Sequence, residues 1–590
     1  MTSATENPLL GDFTGPFGLP PFGSISPDHF GPAFEAALAE HKAEIAAIAS
    51  NPEPANFANS LVAFEDSGRL LARIGAIFWN LSSAHTSDAL KQIERTFAPR
   101  LAAHSAAIMT NGKLFKRIKS VYDDRAACGL TAEELRLVEQ TFEAFVRAGA
   151  ALAEDDKLRF NQISERLASL STAFSQNVLA DETDFELPLH TEEDLAGLPD
   201  YVRDGAASAA TERGSSAPYV ITLSRSLIEP FLTYSTRRDL RERAYEAWVA
   251  RGGNGGKTDN RGIIAEILEL RGEQARLLGF ETFAHYKLDD TMAKTPERVQ
   301  ALLRRVWEPA VGRAREERQA LEDFAKDEGA NISLAAWDWW HYAEKVRAAR
   351  YALKASDLKP YLPLEQMIDA AFYVAQRLFG LTFTPRPDLE LYHPDARAWE
   401  VSDADGQHVG LFIGDYFARS SKRSGAWMSD YRDQEKLNGN TRPIIVNVCN
   451  FAKARKGQPA LLSLDDVETL FHEFGHGLHG LLSDVTYRSL SGTSVEGDFV
   501  ELPSQLYEHW VMTDDVIEKF ARHYQTGEPM PRALIEKIQA AKTFNQGFGT
   551  VEYLASAIVD MAYHELADPS DIDPIEFEAE TLRKLGTPAA

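Results

Sequence analysis

Apolar positions recur at helical spacing along most of this chain. After a Gly/Pro-rich start, Ser26-Pro27 has the chemistry of an N-cap followed by proline in the first turn, and Phe30, Phe34, Leu38, Ile45 and Ile48 continue the helical pattern. The pattern predicts further helices near 57–81, 86–127 and 131–178, and again from 225 to 285. Thr295-Pro296 opens another with the same cap chemistry. Residues 204–217 (DGAASAATERGSSA) read as a small-residue loop, and Tyr219–Leu223 as a short strand. Near 390 the texture changes. Trp399–Ser402, Val409–Tyr416 and Pro443–Val448 are short and β-like, with Asp405-Gly406 and Asn438-Gly439 as turn signals. A small sheet is expected there, followed by a return to helix over 463–482. No internal repeat and no long disordered tract is visible.

Composition narrows the function classes. The chain has 590 residues, 44% apolar and 25% charged, with a net charge of −26. An acidic balance of this size argues against nucleic acid, whose phosphates demand a basic surface, and against anionic membranes. Cys128 and Cys449 are far apart and make no disulfide framework, which fits a reducing compartment. The N-terminus lacks a basic region followed by an apolar run, and no apolar stretch approaches the ~20 residues that span a bilayer. A cytoplasmic protein is expected.

Two patterns lead elsewhere. Gly255-Gly256-Lys257-Thr258 resembles the end of a phosphate loop, but the glycine required five positions before Gly256 is Arg251, and the stretch follows a helix-like run. Trp337, Trp339 and Trp340 form an aromatic cluster that reads as core, with the wall of a substrate channel as the sharper alternative.

The chemistry concentrates in SLDDVETLFHEFGHGLHGLL. Ser463 with Asp466 three residues later is a capping box, so a helix starts there. At about 100° per residue, Val467, Leu470, Phe471, Phe474 and Leu478 share one stripe, and His472, His476 and His479 another. His472 and His476 lie one turn apart, so their nitrogens converge on one zinc ion at ~2.0–2.1 Å each. Glu473, displaced around the helix, misses the ion and is placed to take the proton of an activated water, the general-base role of a metallopeptidase. His479 shares the histidine face but stands about 10 Å along the axis from His472, too far to join it on one ion. It is read as lying behind the ligands or facing substrate. Catalytic zinc takes three protein ligands as a rule. Asp484, Glu496, Asp498, Glu501 and Glu508 are the acids downstream, and spacing does not choose among them. Glu501, at the apparent helix start ELPSQLYEHW, is favoured as a carboxylate on a second rigid helix facing the first, with simple complementation of the helix dipole as the alternative.

Four stretches carry a resemblance: GLFIGDYFARSSKRSGAWM (410–428), RPIIVNVCNFAK (442–453), GQPALLSLDDVETLFHEFGHGLHGLL (457–482) and SGTSVEGDFVELPSQLYEHW (491–510). With them the chain resembles the thimet oligopeptidase-like zinc metallopeptidases, dipeptidyl carboxypeptidase branch. The resemblance runs from the N-terminal helices to the end of the chain. It implies one zinc held by His472, His476 and Glu501, with Glu473 as base. It implies a mainly α, two-lobed zincin with a small β-sheet beside the HExxH helix and a deep channel for short unfolded peptides. The boundary is placed near 240, with an N-terminal helical lobe over 1–240 and a catalytic lobe over 241–590, the sheet at about 390–450 and the metal-site helices at 463–510. Release of C-terminal dipeptides is the implied reaction, and endo-acting cleavage on the same scaffold is the alternative. Relatives continue past the Ala590 end with a histidine and a Gly/Tyr-rich loop that bind substrate and stabilise the oxyanion. Residues 511–590 hold no equivalent, since Tyr553 and Tyr563 lack that glycine context. A separate C-terminal fragment that completes the active site, a truncated chain, and a catalytically impaired peptide-binding homologue all follow as expectations. For an exopeptidase, Arg419, Lys422 and Arg423 are the candidates by charge to capture the substrate's terminal carboxylate.

Overall fold

The computed structural model describes residues 7–352, 355–419, 421–454, 457–570 and 572–587. Readings that rest on the extreme ends, 1–6 and 588–590, and on Ser420 lie outside these residues. The chain divides into two compact units interleaved in sequence, Met1–Leu152 with Ala355–Pro531, and Ala153–Lys354 with Arg532–Ala590.

Helices dominate both units. The first runs Pro27–Ala49 behind Ser26, as the cap pattern predicts, and buries Phe30, Phe34, Ile45 and Ile48. The helical stretch expected over 86–127 is broken in two, Asp88–Met109 and Gly112–Asp124. Asn111 accepts from the amides of Lys113 and Leu114 and so restarts the second helix. The tract 204–217 is not a loop. Residues Asp200–Arg213 form a helix, because alanine is the best helix former and Gly214, in the left-handed region at φ 63°, supplies the C-cap. It is framed by β1 (Leu187–Leu189) and β2 (Tyr219–Ile221), which pair antiparallel. In the same unit, Pro296–Asp327 packs closely on Gln546–His564. Gly547 sits where a Cβ would lie 2.6 Å from the Ala314 amide nitrogen, and Glu317 accepts from the Gly547 and Phe548 amides at that helix's start.

The unit containing Ala355–Pro531 is built on a five-stranded sheet. Its strands are β3 (Thr382–Pro385), β4 (Arg397–Ser402), β5 (His408–Phe417), β6 (Trp427–Arg432) and β7 (Ile444–Phe451), in the order β3-β4-β5-β7-β6. Only the β5–β7 pair is parallel, with Leu411 opposite Ile444 and Ile413 opposite Val446. Gly410–Tyr416 of β5 and Ile444–Cys449 of β7 are buried without a break, because both faces of the sheet are covered. On one face, Leu411, Ile413, Ile444 and Val446 share a core with Phe34, Ile74 and Phe78 from the N-terminal helices. On the other, Phe412 meets Phe474 of the helix Leu464–Leu481 edge-on at 5.2 Å, and both meet Phe372 and Phe383. The sheet therefore holds that helix in place from below.

Candidate metal centre

Ser463 accepts from the Asp466 amide at 3.1 Å, and Asp466 accepts from the Ser463 amide at 2.9 Å, so the capping box is formed at the start of the helix Leu464–Leu481. Its second half is buried nearly all round, which the amphipathic pattern does not foretell. Three glycines make this possible. A Cβ at Gly480 would lie 2.6 Å from Ile445 Cδ1, one at Gly477 3.2 Å from the Asn447 side chain, and one at Gly475 only 2.7 Å from Ser504 Cα. The last approach matters for chemistry. Gly475 lets the helix Glu501–Glu508 lie directly against the histidine helix.

That approach brings three ligand atoms together. Glu501 Oε2 is 3.1 Å from His472 Nε2 and 3.1 Å from His476 Nε2. Among the described residues these three side chains form the group able to share one ion, with atoms all within 4.8 Å of one another. A tetrahedral ion bonded at about 2.0–2.1 Å has ligand–ligand edges of about 3.3 Å, close to the two 3.1 Å separations from Glu501, so this donor set fits zinc. The surrounding groups fit as well. His472 Nδ1 donates to Glu508 Oε1 at 2.6 Å, which leaves its Nε2 as the lone-pair nitrogen facing Glu501. Burial lowers the pKa of His476 and so favours the neutral ring that a metal needs. Ser504 Oγ donates to Glu501 Oε2 at 2.9 Å and steadies that carboxylate.

Glu473 is 6% exposed, and its Oε2 finds no hydrogen-bond partner among the described residues. Burial pushes its pKa up to about 7, and the Glu501 charge adds to it. A carboxyl poised near neutrality suits a general base. His479 stands apart from the ligand group. Its Nδ1 is buried without a partner among the described residues, its ring lies 6.5 Å from that of Phe499, and it lines a cavity of about 450 Å³ with Leu482, Leu506 and Trp510.

The other acids named from sequence are placed elsewhere. Glu496 pairs with Arg136 at 2.6 Å and Asp484 with Lys436 at 2.5 Å. Glu508 lies behind His472 as its hydrogen-bond acceptor, a role that sequence reasoning did not assign. The signal was present, since Glu508 follows Glu501 by seven positions and so shares its helix face. The carboxylate-capturing candidates fare differently. Arg419 bonds both Asp415 oxygens, at 2.8 and 2.6 Å. Lys422, its side chain fully buried, donates to Asp415 Oδ1 at 2.8 Å and to the Cys449 carbonyl at 2.9 Å. Both cations are consumed by a buried carboxylate on β5 and serve the fold. Arg423 stacks over Trp427 at 4.7 Å.

Two histidines and a carboxylate converging from neighbouring helices, with a buried glutamate between the histidines in sequence, define a metal-dependent hydrolase. The family described as Peptidase family M3 matches residues 231–588. The chain is 41% identical to the dipeptidyl carboxypeptidase of Salmonella typhimurium over 580 residues, 98% of this chain and 85% of that protein. It is 40% identical to the dipeptidyl carboxypeptidase of Escherichia coli over 589 residues, 99% and 86% of the two chains. Oligopeptidase A of Salmonella typhimurium is 33% identical over 570 residues, 95% and 83% of the two. The chain belongs to peptidase family M3, and its chemistry is peptide-bond hydrolysis. No helix among the described residues is long and apolar enough to cross a membrane.

Proposed function

We propose that this chain is a zinc peptidase that releases C-terminal dipeptides from short unfolded peptides. In this reading His472, His476 and Glu501 hold a single zinc, and Glu473 is the general base. One observation carries it: Glu501 Oε2 lies equidistant from the two histidine Nε2 atoms, while the next position on the helix is Glu473, buried and with no hydrogen-bond partner for its Oε2 among the described residues. The two dipeptidyl carboxypeptidases among its relatives support the exopeptidase mode. Bound zinc supplies a Lewis acid for the scissile carbonyl and lowers the pKa of water. The chain's own residues do the rest. Glu473 accepts the proton of the attacking water and returns it to the leaving amine. Glu508 holds His472 in one tautomer, and Ser504 holds Glu501. Two unpaired thiols, Cys128 and Cys449, support a reducing, cytoplasmic setting.

Mass-spectrometric product analysis tests the reading. Zinc-loaded protein should remove successive dipeptides from a peptide with a free C-terminus, stop with a chelator, and leave a C-terminally amidated peptide intact. Equal cleavage of the amidated peptide would replace exopeptidase by the endo-acting reading that the oligopeptidase A relative supports. Leu482, Leu502, Leu506 and Trp510 are exposed at 39, 54, 59 and 36% near the site. This apolar surface supports the further reading that a separate C-terminal fragment completes the active site. Cleavage by the chain alone would dispose of that reading, and of the impaired peptide-binding homologue with it.

A further inference from the structure

The aromatic run at 337–340 is only partly absorbed by the core. Within the unit Ala153–Lys354 with Arg532–Ala590 there is a cavity of about 240 Å³. Tyr245, Trp248, Trp337, Trp339, Trp340 and Phe548 line it. Trp248 and Trp340 stand 5.5 Å apart at 59°, Tyr245 and Trp337 6.4 Å apart at 59°, and Trp339 stacks on Phe548 at 4.2 Å. A rigid box of π-faces results. Cavities for drug-sized ligands run to about 300–1,000 Å³, so this one takes a single long side chain.

Three further features say what kind of side chain. Glu552 is the one charged residue among those lining the cavity, and it is exposed at the rim. It forms no ion pair among the described residues; Arg225, the cation whose charge reaches it, is paired with Glu229 at 3.3 Å. The indole N–H of Trp339 donates to Asn545 Oδ1 at 3.0 Å, whereas those of Trp248 and Trp337 are buried and have no acceptor among the described residues. A buried donor without an acceptor is costly, so a ligand that brings one gains affinity. The protein also shows what these rings accept. Arg251 lies 5.6 Å over Trp248 and Arg238 5.6 Å over Trp337, and neither arginine lines the cavity. A planar guanidinium stacks on indole where a hydrated ammonium does so less well.

We propose that this cavity binds the arginine side chain of a peptide, with the guanidinium between the aromatic faces and Glu552, and the free indole N–H groups donating to peptide carbonyls. That the ligand is a peptide rests on the peptidase reading above; the recognition chemistry rests on the cavity. Calorimetric titration of the full chain carrying Glu473→Gln separates the two, since it needs no turnover. N-acetyl-arginine amide should bind at least tenfold more tightly than N-acetyl-citrulline amide, its neutral isostere. Glu552→Gln, at an exposed position, should weaken arginine binding about tenfold and leave citrulline unchanged. Trp340→Leu should weaken both. Equal affinities for the two amides, or an arginine affinity untouched by Glu552→Gln, overturns the proposal, as does absence of binding at millimolar concentration. Arginine binding by a chain that releases no dipeptides would sustain this site and sink the peptidase reading instead.

Discussion

At the scale of single residues, the site works through differences between chemically similar groups. Glu473, Glu501 and Glu508 are three glutamates within one small volume. Glu501 is exposed and meets both histidines, Glu508 accepts from His472 Nδ1, and Glu473 is buried with one oxygen unpartnered among the described residues. In the proposed reading, environment and not residue type separates a ligand from an orienting group and from a base. Glu473→Gln should therefore keep zinc and lower kcat by about 10²–10⁴-fold, measured on a free-C-terminus peptide. Glu508→Gln should weaken zinc binding by about 10–100-fold, because the ring of His472 loses its fixed tautomer; unchanged affinity in a metal-buffered titration would remove Glu508 from the site. The sequence already showed the histidine pair and the adjacent glutamate, because four-residue spacing on a helix is a local property. Spacing alone left Glu501 among five acids, and its place at a helix start and the family resemblance singled it out, since contact between two helices 25–36 residues apart is set by packing.

At the scale of elements, the decisive contact is between the helix Leu464–Leu481 and the helix Glu501–Glu508. Gly475→Ala would place a methyl 2.7 Å from Ser504 Cα, a backbone atom that cannot swing aside. The variant should be destabilised by about 1–3 kcal/mol and should lose zinc affinity with it, by moving Glu501 away from the histidines. Wild-type affinity in a destabilised Gly475→Ala protein would show that the two helices are not coupled in this way. The buried cluster on β5 is the second element-scale determinant. Burial by itself raises the Asp415 carboxyl, but hydrogen bonds from Arg419, Lys422 and Tyr392 outweigh it and hold its pKa below the usual value. Its contribution to stability is therefore present above the unfolded pKa of about 3.9 and is lost as pH falls through the lower folded value. Lys422→Met should cost about 3–5 kcal/mol near neutral pH by leaving Asp415 short of a buried partner, and it should flatten the acid limb of the stability curve, as followed by denaturant unfolding. Sequence reading offered Arg419 and Lys422 as free cations, because nothing local reveals that a carboxylate on β5 already holds them. Edge strands escaped it for a related reason. Both β3, exposed and ending in proline, and β6, half-buried, lack the alternation that marks a strand with one wet face.

At the scale of the whole molecule, the order of elements along the chain is easier to read than their grouping. The helical texture and the three inner strands of the small sheet are visible in the apolar pattern. The grouping is not, because the unit with the candidate metal centre takes its second sheet-covering layer from residues near the N-terminus. Only long-range packing, such as Phe34 and Phe78 in one core with Ile413 and Val446, records that. Because zinc would bind folded protein alone, its removal should loosen the unit Met1–Leu152 with Ala355–Pro531 and leave the other unit unchanged. Hydrogen exchange before and after chelation reads this directly, and loss of protection spread evenly over both units would contradict it. The ligand set itself is tested most directly by one zinc titration run in parallel on wild type, Glu473→Gln and Glu501→Gln. Wild type and Glu473→Gln should each bind one zinc with the same affinity, and Glu501→Gln should bind at least a hundredfold more weakly. Wild-type affinity in Glu501→Gln, or loss of zinc in Glu473→Gln, would contradict the assignment of ligand and base on which the account depends.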